Sequence, residues 1–200
     1  MDMKRVVFTA VLLLSTVTLW AQSQPREWLE GVSRALGKRY ATHITVLADD
    51  ISPLSGYFVV DGDSYYLTLG SMEVYSDGDV RYEVNNDRKE VVEDVVDLAA
   101  KDILTNPTRA FDFLSDSYQI DIVESYTDGA KIKVQPKDDV ADVVIYVVVK
   151  RSGERVLPRS ITYDYDGDSY AVSLDIINES MDVPRWDKTE YRAYDIVSFL

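Results

Sequence analysis

Cysteine is missing from this chain of 200 residues, and histidine occurs once. The first absence excludes a disulfide framework, a thiolate zinc site, a cysteine nucleophile and a lipidated cysteine. The second excludes a metal site built on several imidazoles. Basic residues are also scarce, 21 Lys plus Arg against 35 Asp plus Glu, which leaves a formal charge of −14. That charge opposes phosphate backbones and anionic membrane surfaces, so no nucleic-acid partner is expected. There is no glycine-rich phosphate loop, no G-x-S-x-G nucleophile elbow and no Pro/Gly/Ser-rich linker. Past the N-terminal segment, no apolar run is long enough to cross a bilayer. What is present is an ordinary globular share of hydrophobic residues, 46%.

The N-terminal segment reads as an address. Lys4 and Arg5 precede an apolar stretch from Val6 to Trp20, and Ala21-Gln22-Ser23 is an A-x-A-like cleavage site. This is the pattern of a secretory signal peptide over residues 1–23, too short in its apolar part to span a membrane. Cleavage would remove one acid, Asp2, and two bases, Lys4 and Arg5, taking the charge from −14 to −15. The expectation is a soluble exported protein whose residues 24–200 form a single domain.

The mature part opens with a helix expected from Arg26 to Arg39. Trp28, Leu29, Val32, Ala35 and Leu36 share one face, and Pro25 suits the first turn. From Tyr40 the period becomes two. Strands are expected at 54–60, 64–69, 71–75, 80–85 and 89–96, then at 118–126, 130–135, 142–150, 155–165 and 168–178, with a last one near 194–199. Asp61-Gly62, Asp77-Gly78, Asp128-Gly129 and Asp166-Gly167 are hairpin signals that force antiparallel pairing. Between the two strand runs, Asp97 and Asn106-Pro107 suggest caps for two helices, 98–104 and 107–114.

Alternation marks one wet and one covered face. Val80, Tyr82 and Val84 oppose Arg81 and Glu83, and Met72 and Val74 oppose Glu73 and Tyr75. Val143 to Val149 is apolar on both faces, so its outer side should also be covered. Roughly eleven strands exceed what a flat sheet holds comfortably. The fold class expected is mainly β with a few helices: a strongly curved antiparallel half-barrel under a helical lid, with a closed barrel as the alternative.

In order along the chain come Gly56-Tyr57-Phe58-Val59-Val60-Asp61-Gly62-Asp63-Ser64-Tyr65-Tyr66-Leu67, Glu73-Val74-Tyr75-Ser76-Asp77-Gly78-Asp79-Val80-Arg81-Tyr82, Lys89-Glu90-Val91, Asn106-Pro107, Trp186-Asp187-Lys188 to Tyr191, and Ile196-Val197. This series resembles the LolA-like periplasmic carriers of outer-membrane lipoproteins, over nearly the whole mature chain. The resemblance implies a half-barrel with a helical lid, and a carrier or chaperone without covalent chemistry. It departs from the family twice. Thr68-Leu69-Gly70-Ser71 lacks the family's Arg and Pro, the Arg being its lid latch, and Tyr191-Arg192 replaces a Tyr-Pro.

An acyl chain of about 15 methylenes costs on the order of 12 kcal/mol to expose to water. A soluble carrier must match that apolar area and hide it when empty. The candidate cavity residues are Phe58, Tyr65, Leu67, Met72, Val74, Tyr82, Val84, Ile120, Ile122 and Val134. The candidate lid residues are Leu29, Val32, Leu36, Leu98, Ile103, Phe111 and Leu114. Expected partners are lipoprotein acyl chains or another hydrophobic ligand, with membrane-bound donor and acceptor proteins; a monomer is expected. No cofactor, metal or catalytic residue is assigned. Two other readings stay open: a same-fold module or sensor for a different hydrophobic ligand, and a structural or interaction domain whose interior is filled.

Three tempting motifs read as plain structure. Asp164-x-Asp166-x-Asp168 lacks the Gly and Glu of a calcium loop. It repeats the D-G-D-S-Y of residues 61–65 at 166–170, so both are taken as hairpin turns. His43 has no serine elbow to serve. Asp49-Asp50 and Asp138-Asp139 are taken as solvated loop charge.

Overall fold

Helix gives way to strand where the periodicity changes. The computed structural model describes residues 25–49, 51–137, 143–166, 168–177 and 181–200; the expected leader, Asp50, Asp138 and Asp139 lie outside the described residues. Helix α1 runs Pro25–Leu36 and buries Trp28, Leu29, Val32 and Leu36. It stops three residues before the expected end. Gly37 sits at φ 63° and its N–H donates to the Ser33 carbonyl at 2.9 Å, a left-handed cap that turns the chain into the first strand.

Twelve strands follow: β1 Arg39–Ala48, β2 Leu54–Asp61, β3 Ser64–Leu69, β4 Met72–Ser76, β5 Val80–Asn85, β6 Glu90–Val95, β7 Tyr118–Ser125, β8 Gly129–Pro136, β9 Val143–Ser152, β10 Arg155–Tyr165, β11 Asp168–Ile177 and β12 Asp195–Ser198. They form one open, curved sheet in the order β12-β6-β5-β4-β3-β2-β1-β11-β10-β9-β8-β7. Two hairpin meanders, β1–β6 and β7–β11, meet at the β1·β11 pair. All pairs are antiparallel except β12 on β6, which is parallel. A strand reached through a long irregular segment is free of the hairpin constraint and can take either direction.

The expected turns are in place. β2 and β3 flank Gly62, and Asp166 closes β10 before β11 with φ 49°, while Gly167 of that expected turn lies outside the described residues. His43 is exposed on the outer face of β1, its ring 6.4 Å from that of Tyr57.

The two helices expected at 98–104 and 107–114 are absent. In their place lies an irregular loop with a single 3-10 turn, Pro107–Arg109. Side chains take the amides that a helix would use. Asp97 Oδ1 accepts from the N–H groups of Ala99 and Ala100, and Asp102 Oδ1 from those of Leu104 and Thr105. The Ile103 N–H donates to the Tyr163 hydroxyl at 2.8 Å. Such bonds compete directly with helix formation. The cap expected from Asn106 is likewise redirected. Asn106 is fully buried, donates to the Asp97 carbonyl and accepts from the Thr108 hydroxyl.

The main core lies on the concave side. α1 packs there against β10 and β7. The outward side chains of β9, Val144, Tyr146 and Val148, are half-buried. A neighbouring side chain shields them in part: Lys131 Nζ lies 5.0 Å from the Tyr146 ring centroid.

Candidate functional site

Strand register decides which side chains meet inside the curve. Phe58 pairs with Leu67, Leu67 with Val74, and Val60 with Tyr65, so these five share one face. The same face continues through Tyr40, Ile44 and Val46 of β1, Leu174 and Val172 of β11, Ile161 and Tyr163 of β10, and Ile145 and Val147 of β9. It ends with Ile132 and Val134 of β8 and Ile120 and Ile122 of β7. The result is one continuous apolar trough that includes Phe58, Tyr65, Leu67, Val74, Ile120, Ile122 and Val134 from the candidate lining.

The trough is filled. α1 contributes Leu29, Val32 and Leu36, and the 97–114 loop contributes Ile103, Leu104, Phe111, Phe113 and Leu114. Phe58, Tyr65, Val134, Ile103 and Phe113 have no exposed surface. Phe113 is not among the candidate lid residues, since it falls off the stripe of the helix expected there. No helical signal could have found it.

What holds the loop over the trough is a set of tyrosine hydroxyls rising from the sheet. Tyr40 donates to the Pro107 carbonyl at 2.9 Å, Tyr65 to that of Thr105 at 3.1 Å, and Tyr163 to that of Lys101 at 3.0 Å. Tyr165 and Tyr170 both donate to Asp102 Oδ2. Arg26 of α1 adds a bond to the Leu114 carbonyl at 2.7 Å. Burial raises the pKa of Tyr40, Tyr163, Tyr165 and Tyr170 above the ordinary value. For Tyr165 burial, then the Asp102 charge, pushes it up to about 12. These hydroxyls therefore keep their protons, and their capacity to donate, at any physiological pH.

Four candidate residues lie outside the packed trough. Tyr82 and Val84 are on the convex face, because Tyr82 pairs with Tyr75 and Val84 with Glu73. The concave face of β5 carries Arg81 and Glu83, joined at 2.8 Å, so the apolar trough stops at β4. Met72, on the Val74 side, sits half-buried at this margin. β5 alternates cleanly, but its apolar phase faces the convex cover, and alternation alone does not say which face of the sheet a phase occupies. Leu98 is 58% exposed and takes no part in the cover, because the helix that would have turned it inward does not form.

The convex cover comes from residues 183–196. Tyr66, Tyr75, Val84, Val91 and Tyr191 form a second core there. The Trp186 ring lies stacked between Tyr82, at 4.6 Å, and Tyr191, at 4.7 Å. Glu73 therefore does not face open solvent. Its Oε2 accepts from the hydroxyls of Tyr66 and Tyr75 and its Oε1 from Asn86 Nδ2, at 2.7 to 2.8 Å. Burial alone would raise the Glu73 pKa; the hydrogen bonds from Asn86, Tyr66, Tyr75 and Tyr191 outweigh it and hold the group below its ordinary value. A depressed carboxylate stabilises the fold above its unfolded pKa and loses that contribution as the pH falls through the folded one. Glu73→Ala is expected to lower the thermal midpoint at pH 7 by about 4–8 °C, from a loss of roughly 2 kcal/mol. The difference should shrink below about pH 4. A midpoint unchanged at pH 7 would show these bonds to be energetically idle.

A cavity of about 790 Å³ opens on this convex side, between Tyr75, Tyr82 and Trp186 and the carboxylates of Asp61, Asp77 and Asp182. Its three acids make it a poor seat for an acyl chain. A smaller one, about 230 Å³, lies where the end of α1 meets residues 108–114. Among the described residues no group of His, Cys, Asp and Glu is placed to hold a metal ion.

No family model matches the chain, and no curated protein matches it. Solved structures do. An uncharacterized conserved protein from Thermus thermophilus superposes with a TM-score of 0.50 at 7% identity, covering 86% of this chain and 98% of that one. A LolA superfamily protein from Nitrosomonas europaea matches with a TM-score of 0.40 at 11% identity, covering 82% and 96%. MucB, in complex with MucA(peri), matches with a TM-score of 0.39 at 15% identity, covering 82% of this chain and 58% of that one. At these identities the likeness is one of fold alone.

Proposed function

We propose that this protein is an exported carrier, its leader 1–23 removed, that receives the acyl chain of a lipoprotein in the concave trough and does no covalent chemistry. The observation that carries the reading is the nature of the cover. An apolar trough spanning nine strands, β4 to β7 in spatial order, is closed by one helix and an irregular loop tied down by hydroxyl groups. A core meant only for stability is more often closed by a second layer of regular structure. The energetics permit exchange. The loop fully buries Ile103 and Phe113 and partly buries Leu104, Phe111 and Leu114, and full burial of one such side chain contributes about 1.5–3 kcal/mol. An acyl chain offers on the order of 12 kcal/mol in return. An acyl chain thus returns at least the apolar burial that the loop gives up, and the hydroxyl bonds of the loop set the remaining cost of opening. The sequence resemblance to LolA-like carriers supports the same class. Membrane-bound donors and acceptors are implied by the reading.

The filled interior favours a second reading, a structural or interaction domain. One titration separates them. The wild type should bind a fluorescent C18 fatty acid saturably at micromolar concentration, with palmitate competing. Exchange of the amides in residues 101–114 should quicken as probe is added. If no probe binds, the carrier reading falls and the second stands.

A further inference from the structure

The 230 Å³ cavity sits at the rim of the trough, walled by Leu36, Tyr40, Phe111 and Leu114, with Arg109 and the carboxylate of Asp112 also lining it. Arg109 Nε is the one buried side-chain nitrogen or oxygen among the described residues that lacks a hydrogen-bond partner. Leaving such a donor unpaired is costly, and more so on a charged group. The acids nearby do not answer it. Asp63 and Asp112 approach the terminal nitrogens only at 3.8 and 3.7 Å, and Asp112 is held more closely by Lys101, at 3.0 Å. The Ser33 carbonyl, at the end of α1, already accepts from Gly37.

We infer that Arg109 is an anchor for the anionic headgroup of a single-chain amphiphile, a carboxylate or a phosphate, whose hydrocarbon enters between α1 and the loop. This rests on the reading of the trough as an acyl site and specifies the ligand class. The space suits it. A cavity of about 150 Å³ holds a benzene ring, so 230 Å³ takes the headgroup and the first methylenes, and the rest of the chain displaces the loop. The Arg109 side chain is 37% exposed, so an incoming headgroup meets its outer part first, and the Nε, which is itself buried, is reached only as the loop is displaced. The protein's overall negative charge opposes an anion, but screening beyond about 8 Å confines that repulsion to near neighbours.

The test compares cis-parinaric acid, its methyl ester and inorganic phosphate, on wild type and on Arg109→Met. Wild type is expected to bind the acid roughly tenfold more tightly than the ester, the strength of one charge-assisted bond. The variant should bring the two within about twofold while leaving the ester's affinity unchanged. Its thermal midpoint should change little, since the two ion pairs lost are long and partly exposed and an unpaired donor is removed with them. Phosphate at millimolar concentration should not displace the acid; displacement would identify a free-anion site and overturn the amphiphile assignment. If acid and ester bind wild type equally, or the variant keeps the preference, the anchor is refuted and the carrier reading survives. If neither probe binds wild type, the carrier reading fails first.

Discussion

Tyr163→Phe is expected to free the 97–114 loop without unfolding the sheet. The hydroxyl accepts from the Ile103 N–H at 2.8 Å and donates to the Lys101 carbonyl at 3.0 Å. Its removal strands a buried donor and an acceptor, each at a cost of about 1–3 kcal/mol. Hydrogen exchange at Ile103 should accelerate roughly tenfold to a hundredfold, while amides in β1 and β11 keep their protection. Uptake of a fatty-acid probe should become faster, because part of the work of displacement is already done. Unchanged exchange at Ile103 would mean that packing of Ile103 and Phe113, not the hydroxyl, holds the loop.

Gly56→Val should yield no folded protein. Gly56 lies in β2, between β1 and β3. A Cβ at that position would stand 1.8 Å from the Thr68 carbonyl oxygen and 2.8 Å from its carbon, both backbone atoms with no freedom to yield. Relief requires parting β2 from β3, which carry Phe58, Val60, Tyr65 and Leu67. Losing those contacts exceeds the roughly 5–15 kcal/mol that keeps an ordinary domain folded. Soluble expression with a cooperative melt would show that the strand pair can shift without loss. The glycine that opens the resemblance motif thus has a local steric reason.

Local chemistry determined a good part of this protein. The D-G turns and the alternating runs place the strands and their hairpin pairing, because each depends on neighbours within a few residues. The apolar identity of most of the trough, from Phe58 to Val134, followed from the same alternation. Only the tertiary structure decided the rest. Tyr82 and Val84 went to the convex face because residues 183–196 cover it, a contact between segments far apart in the chain. The loop became a loop because Tyr163, Tyr165 and Tyr170, well downstream of it, take part in its hydrogen bonding. In the sequence those tyrosines are good strand formers and nothing more. Their hydroxyls acquire a role only when the sheet curves and brings them under the chain they hold.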